Sequence, residues 1–395
     1  MHHALTDGSL TLCSMLVLRS LPFAVFSGHA ALARGARQHA AAQPHWVRAL
    51  PIAICAVAWS ALYALGRAEA AVWHALGLAY YALVSTAVPR ASRLLQAGTI
   101  TRGALLTGLC VVLLLVPGLA LPGVAMATFL VVGWELVLRS YSYCVETAAA
   151  PTAERKLGPC LFFLLVDPTL LYTQRSRPCA DTETRSLGLA RLSLGVLAFV
   201  LSACAIASMA QWRTASESYN YVTQLLVVGA LRFLSEYAAH SGLASVQIGL
   251  MRLIGWHAPE RYDYPLLSTS PMDFWRRWNS YVRVWLEAYV FLPWSLAAAR
   301  RTRSRLAQVG VALGTLLVCG CLHDLYILGG RQRIDLHFTG LFLAGGVVLG
   351  LWRLSSLLFA RLPLRGRARM FVDAALPRMC MAAVFVVASL VWSQR

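Results

Sequence analysis

The 395-residue sequence predicts an all-α, polytopic membrane protein, with about ten to twelve transmembrane or re-entrant helices at about 20 apolar residues per crossing. Three observations carry this. Apolar residues make up 58% of the chain and charged residues only 13%, against about 25% charged in an ordinary soluble domain. Mean hydropathy is +0.61. The basic residues gather between apolar runs rather than spreading over the chain. A soluble fold this apolar would lack the polar surface to cover itself, whereas in a bilayer lipid is the solvent.

The formal net charge is +18, nearly all of it arginine, with Lys156 the only lysine. Arginines clustered in the short loops between spans are what the positive-inside rule produces. The chain carries no RNA- or DNA-binding motif, so nucleic acid is not an expected partner. Cys13, Cys55, Cys110, Cys204, Cys319 and Cys380 lie inside apolar runs, where an isolated Cys behaves as a small hydrophobe. The sequence has no CxxC pair, and His74, His257 and His337 are scattered singly. No metal and no bound cofactor are therefore expected.

The elements follow in order. Met1 to Ser9 lacks the basic start of a cleavable signal, so Leu10–Leu32 is expected as a retained first span. Ala49–Leu65 and Ala70–Val88 form a pair joined by a short turn at Gly66-Arg67-Ala68-Glu69. Leu105–Leu138 is too long for one crossing, and Pro117, Pro122 and Gly123 break it near the middle. Leu157–Tyr172 is short, contains Asp167 and Pro168, and suits a re-entrant segment. Leu187–Ala210 is a full span. Val222–Gly255 carries Arg232, Glu236, His240 and Gln247, and is expected as two helices broken around Ser241-Gly242. Trp256–Met272 is a Pro-punctuated connector. Asp273–Leu292, rich in Trp, Tyr and Arg, reads as an interfacial helix. Leu306–Leu328, Leu336–Leu358 and Met370–Val391 complete the set. Residues 34–48, 90–102, 139–156, 300–305 and 361–369 are the basic loops expected at the cytoplasm, which puts His323 near the outer end of its helix. One membrane domain covers 1–395, divided into variable spans at 1–215, a core at 216–330 and terminal spans at 331–395.

Two local patterns carry chemistry. The first is Asp273-Phe274-Trp275-Arg276-Arg277-Trp278-Asn279. Trp at headgroup depth and Arg on phosphates would make it an interfacial anchor. That reading leaves the adjacent arginines and the closing Asn unexplained. The second is Cys319-Gly320-Cys321-Leu322-His323-Asp324, inside an apolar span. An ionisable residue there is a functional candidate, although a lone His is more often a neutral interhelical hydrogen bond. Asp324 is adjacent to His323, and adjacent residues on a helix do not face each other. Glu236 and His240 share a helix face at i and i+4, where they line an acceptor path or make an interhelical polar contact.

The stretch Phe233–Pro293 resembles the core of the membrane-bound O-acyltransferase superfamily, and is most similar to its bacterial branch of alginate O-acetylation and teichoic-acid D-alanylation proteins. The residues that carry the resemblance are Ile248-Gly249-Leu250-Met251-Arg252-Leu253-Ile254-Gly255, Pro259-Glu260-Arg261-Tyr262-Asp263-Tyr264-Pro265, Ser270-Pro271, Phe274-Trp275-Arg276-Arg277-Trp278 and Tyr289-Val290-Phe291-Leu292-Pro293. Leu322-His323 falls where the family keeps its histidine. One departure is Asn279, where bacterial polysaccharide acylators usually have His; Asn is the arrangement in many lipid and peptide acyltransferases of the superfamily. A second is Gly320-Cys321-Leu322-His323-Asp324 in place of a Gly-Leu-Trp-His-Gly-like context.

The resemblance implies a helical bundle enclosing a catalytic tunnel, in a bacterial inner membrane. It implies transfer of an acyl group from a thioester, acyl-CoA as co-substrate, to a hydroxyl of a lipid, glycan or other alcohol. His323 would be the general base and Asn279 its polar partner. That chemistry is physically sound, because neutral His, with a pKa near ~6.5, suits proton abstraction from a hydroxyl, and an amide N–H can stabilise an oxyanion. Two readings fit Arg276 and Arg277: they grip the donor phosphates, or they pair with Asp273 and shape the fold. Trp275 and Trp278 suit packing better than substrate contact. The rival class is a transporter, or a non-catalytic relative, using the same polar residues as a binding path.

Overall fold

The computed structural model describes residues 68–117, 123–149, 157–179, 182–215, 220–302, 304–331, 336–359, 375–377 and 379–380. The expected spans Leu10–Leu32 and Ala49–Leu65, most of Met370–Val391, and the basic loops 34–48 and 361–369 lie outside them.

Among the described residues the chain is almost entirely helical. The elements are α1 (Ala68–Gln96), α2 (Arg102–Cys110) continued by a π turn (Val111–Leu115), α3 (Gly123–Ala148), α4 (Leu157–Leu165), α5 (Thr182–Ala215), α6 (Tyr221–Leu253), α7 (Pro271–Arg277) and α8 (Ser280–Leu286). A second π turn (Glu287–Phe291), α9 (Leu292–Arg301), α10 (Arg305–Arg331) and α11 (His337–Phe359) follow. A two-residue antiparallel bridge interrupts the all-α pattern, with Arg177 opposite His257 and Pro178 opposite Trp256. By length and composition, two stretches among the described residues suffice to cross a membrane, Glu183–Ser202 in α5 and Leu306–Leu325 in α10.

The described residues fall into two compact units. One comprises those up to Ala207 with Ala238–Pro259 and Leu328–Gln332; the other comprises Ser208–Tyr237, Glu260–Ile327 and those that follow Arg333.

In the first unit, the expected break inside Leu105–Leu138 falls between the π turn after α2 and the start of α3, at residues 118–122, which lie outside those described. A π turn displaces backbone carbonyls from the regular ladder. Here Tyr80 Oη donates to the Val112 carbonyl at 2.6 Å and Tyr81 Oη to that of Leu113 at 3.3 Å. Two expected basic loops are instead largely helix. Arg90 and Arg93 lie within α1, which also takes in Ala68 and Glu69 of the expected turn, and α3 runs through to Ala148. Arg139 is buried rather than in a loop because its charge is matched internally. Its Nη2 lies 2.8 Å from Glu135 Oε2, one turn back, and its Nη1 donates to the Leu164 carbonyl at 2.8 Å. The segment after α4 is held by similar means. Asp167 accepts from Thr169 N (2.9 Å), Thr169 Oγ1 (2.8 Å) and Ser176 N (2.8 Å), and Tyr172 N donates to Ser142 Oγ (2.9 Å). α4 has nine residues, about 14 Å at 1.5 Å per residue, which is short of a crossing of about 30 Å.

The sequence suggests a break at Ser241-Gly242, but α6 is continuous there. The glycine serves close approach instead. A methyl on Gly242 would sit 2.8 Å from the Gly195 carbonyl oxygen, and one on Gly195 would sit 2.6 Å from that of Gly242. Seven residues along each helix the contact recurs, with a Gly249 methyl 2.8 Å from the Gly188 carbonyl oxygen. α5 and α6 therefore run antiparallel in backbone contact through two glycine pairs, the small-residue packing that brings helices together in lipid. Around this seam Leu192, Val246, Leu250 and Met251 are buried with Phe162 and Val166.

In the second unit, the expected single helix over Asp273–Leu292 begins two residues earlier, at Pro271, and is broken at Trp278-Asn279. The break has a physical cause: Asn279 adopts φ 36°, ψ 65°, the left-handed region, which ends one helix and starts the next in a new direction.

The glycines divide into packed and open ones. Gly195→Ala is expected to lower detergent-solubilised thermal stability by about 1–3 kcal/mol, the usual cost of overpacking. Gly310→Ala meets nothing within 4 Å and should be neutral, or stabilising by up to about 1 kcal/mol from helix propensity. Thermal melts of the two variants check this, and equal Tm values would contradict the seam.

Candidate active site

The tryptophan–arginine run is built as a capped turn. Ser270 is the N-cap of α7, its Oγ accepting Asp273 N at 3.1 Å, and Pro271 stands at the first helical position. Asp273 Oδ2 accepts the N–H of Thr269, the residue before the cap, at 3.2 Å, which sets a carboxylate in the first turn. Asp273 Oδ1 also accepts Arg277 Nε at 2.9 Å. Desolvation pushes the Asp273 carboxyl up, but the bonds from Arg277 and the Thr269 N–H, with the charges of Arg277 and Arg276, outweigh it and hold the group below its ordinary value. The stabilisation this gives is complete above the ordinary carboxylate range and is lost only as pH falls through the depressed value.

Arg277 reaches further. Its Nη1 lies 3.3 Å from the Asp263 carbonyl and 3.7 Å from Asp263 Oδ2. The backbone closes the same clamp, with Asp263 N donating to the Arg277 carbonyl (3.0 Å) and Ser280 N to that of Arg261 (2.7 Å). Ser280 Oγ donates to the Glu260 carbonyl at 2.7 Å. Segments 260–263 and 277–280 thus lie antiparallel. Two stretches that read separately in the sequence form one piece. Trp278 fills its centre, stacked on Phe274 (5.3 Å, 28°) and Phe233 (5.8 Å, 14°), with Tyr262 edge-on at 5.6 Å. Arg276 is exposed and carries no hydrogen bond among the described residues.

Asn279 sits at the corner of the clamp. Its Oδ1 accepts Arg261 Nε at 3.0 Å, which leaves the amide N–H₂ as its remaining side-chain donor. It makes no hydrogen bond to His323. Its left-handed backbone is a conformation that Asn, Asp and His adopt several-fold more readily than other non-glycine residues. That gives a backbone reason for Asn and His to stand in for one another at this point of the motif.

His323 lies on α10. Its Nδ1 is 2.7 Å from the Cys319 carbonyl oxygen, one turn back. A carbonyl only accepts, so Nδ1 carries the proton and Nε2 the lone pair. The ring is half-buried between two aromatics of α11, Phe338 (5.2 Å between centroids) and Phe342 (5.1 Å). Trp275 meets the edge of Phe342 at 6.0 Å, so a chain of ring contacts joins the tryptophan–arginine run to the histidine. The sequence missed this connection, because Phe338 and Phe342 sit in an unremarked span. Asp324 does not face His323. Its carboxylate accepts Phe338 N (2.9 Å) and Thr339 N (2.8 Å), the exposed N–H groups of the first turn of α11. Gly320 permits the approach, since a methyl there would sit 2.6 Å from Thr339 Cα.

Glu236 accepts Arg232 Nε at 3.0 Å, an i,i+4 pair within α6. His240, one turn on, is exposed.

No family model matches the chain. Curated proteins do. A probable alginate O-acetylase of Pseudomonas syringae is 29% identical over 168 residues, 40% of this chain and 32% of that protein. The acyl-CoA–sterol O-acyltransferase 1 of Arabidopsis thaliana is 30% identical over 135 residues, 33% of this chain and 39% of that protein. Over these stretches the chain is similar to O-acyltransferases, in line with the resemblance its motifs carry. The teichoic acid D-alanyltransferase of Bacillus subtilis is 25% identical over 121 residues, 28% of this chain and 30% of that protein. The matches span about a third of the length of these relatives. Their names share acyl transfer to oxygen or a related ester-forming transfer, while their acceptors differ.

The two arginines are expected to separate on substitution. Arg277→Ala should lower the melting temperature, since it strips partners from a part-buried carboxylate. Arg276→Ala should leave the melting temperature unchanged. Asn279→His should retain the fold, while Asn279→Val, β-branched in a left-handed position, should lose about 1–2 kcal/mol. Thermal melts of the four variants in one detergent decide between these outcomes.

Proposed function

We propose that this chain is a multi-pass O-acyltransferase that moves an acyl group from a thioester, acyl-CoA, to the hydroxyl of a lipid, glycan or other alcohol. The observation that carries the reading is the Nδ1–H bond of His323 to the Cys319 carbonyl. It fixes the tautomer in which Nε2 can take a proton, and the flanking Phe338 and Phe342 hold the ring plane.

The reaction then runs as follows. The acceptor O–H gives its proton to His323 Nε2 as the oxygen attacks the thioester carbonyl. The amide N–H of Asn279, whose Oδ1 is held by Arg261, donates to the developing oxyanion. The C–S bond breaks as the carbonyl re-forms. The leaving thiolate takes the proton from the imidazolium, returning neutral His323 and free thiol. Arg276, which is exposed, binds the phosphates of acyl-CoA from the cytoplasmic side. The sterol relative is named for an acyl-CoA donor and the alginate relative for a glycan acceptor; both classes fit the proposal. The setting is a bacterial inner membrane, with about ten to twelve crossings or re-entrant helices, by the length argument of about 20 residues each, around a catalytic tunnel.

His323→Ala should abolish transfer of labelled acyl groups by the purified protein, a loss of at least about 10²- to 10⁴-fold, with normal insertion and melting temperature. Full activity in that variant would sink the assignment. Label that stays on the donor in the wild-type reaction, with substrate moved across a vesicle wall, would favour a transporter.

A further inference from the structure

The residue after His323 departs from the pattern of the family, with Asp where a glycine is usual. Its surroundings give it a task. Asp324 is buried at 6% exposure, and both of its oxygens are taken up by α11, through Phe338 N at 2.9 Å and Thr339 N at 2.8 Å. Those N–H groups belong to the first turn of α11 (His337–Phe359) and have no partner inside their own helix. A carboxylate there also meets the positive end of the helix dipole. One turn earlier on α10, Gly320 brings the two backbones together, a methyl there lying 2.6 Å from Thr339 Cα. Thr339 Oγ1 adds a contact to Cys321 Sγ at 3.6 Å.

Phe338 is the hinge of the arrangement. Its backbone N–H is held by Asp324, and its ring lies 5.2 Å from the ring of His323. Phe342, one turn along α11, places a second ring 5.1 Å from the same imidazole. Neighbouring residues on a helix point about 100° apart, so His323 and Asp324 leave α10 in different directions and meet the same partner helix at different points. We propose that Asp324 is a positioning residue for the acyl-transfer reaction: it pins the start of α11 to α10, and through Phe338 and Phe342 holds the His323 ring in its working orientation. This rests on His323 being the base.

The experiment has a catalytic and a conformational arm, both on the full chain in detergent or nanodiscs. Acyl transfer from labelled acyl-CoA is measured for wild type, Asp324→Asn and Asp324→Ala. Asp324→Ala should lose about tenfold to a hundredfold in kcat, the usual cost of a small misplacement of a catalytic group, with KM for the donor unchanged. Asp324→Asn, which keeps an acceptor oxygen, should recover most of that loss. Amide hydrogen exchange, followed on the peptide spanning residues 336–345, should accelerate in Asp324→Ala and nowhere else. Wild-type kcat in Asp324→Ala overturns the proposal. Exchange accelerated throughout the chain, or loss in Asp324→Asn as deep as in Asp324→Ala, overturns it too, because either marks a general fold defect or a need for the charge alone. A wild-type protein that transfers nothing, but shows the local exchange effect on substitution, overturns the acyltransferase reading and the catalytic role while leaving the helix lock in place.

Discussion

The constraint on which this structure turns is that polar groups among helices in an apolar solvent must find partners inside the protein. Water is not there to make good a missing bond, and each unmatched group costs several kcal/mol. The described residues show the rule at work repeatedly. Arg139 is matched by Glu135 and the Leu164 carbonyl, Asp167 by donors from Thr169 and Ser176, and Asp324 by two backbone N–H groups. The same rule governs His323, whose Nδ1–H is absorbed by the Cys319 carbonyl. What sets His323 apart is that a ring has two nitrogens. One serves the structure, and in the proposed reaction the other takes the proton.

The clamp between residues 260–263 and 277–280 is a second economy of this kind. A capped helix start, an ion pair and a backbone hydrogen bond converge on Arg277 and Asp273, and Trp278 is packed behind them. This gives the run of tryptophans and arginines a structural role in which the two arginines are not equivalent. Arg277 is woven into the fold, and Arg276 projects from it. A rigid piece carrying Asn279 at its corner and touching α11 through Trp275 suits a site that must present groups from separate helices in fixed relation.

Much of the architecture was legible because hydropathy and composition report directly on helices bounded by an apolar solvent. The spans now seen as α10 and α11 match their sequence boundaries within a few residues. Legibility failed where a residue has two physical uses. Gly242 reads as a helix breaker but acts as a small contact surface against Gly195, and only the partner helix tells the two apart. Arg139 reads as a loop charge until Glu135 is seen one turn away. For the site, the motif residues could be named from the sequence, but their grouping could not. That Phe338 and Phe342 flank His323, and that Asp324 serves α11 rather than the histidine beside it, depends on a helix whose sequence looks merely apolar.

The left-handed backbone at Asn279 carries a consequence for how such a protein can change. A corner of that shape admits few side chains without strain, and Asn and His are among them. In the genetic code their codons differ by a single base at the first position. A lineage can therefore exchange a neutral amide for an imidazole at this corner in one mutational step, with the surrounding clamp left as it stands. Diversity at such a corner is cheap for chemistry to explore, because the backbone has already limited the choice to residues that it can hold.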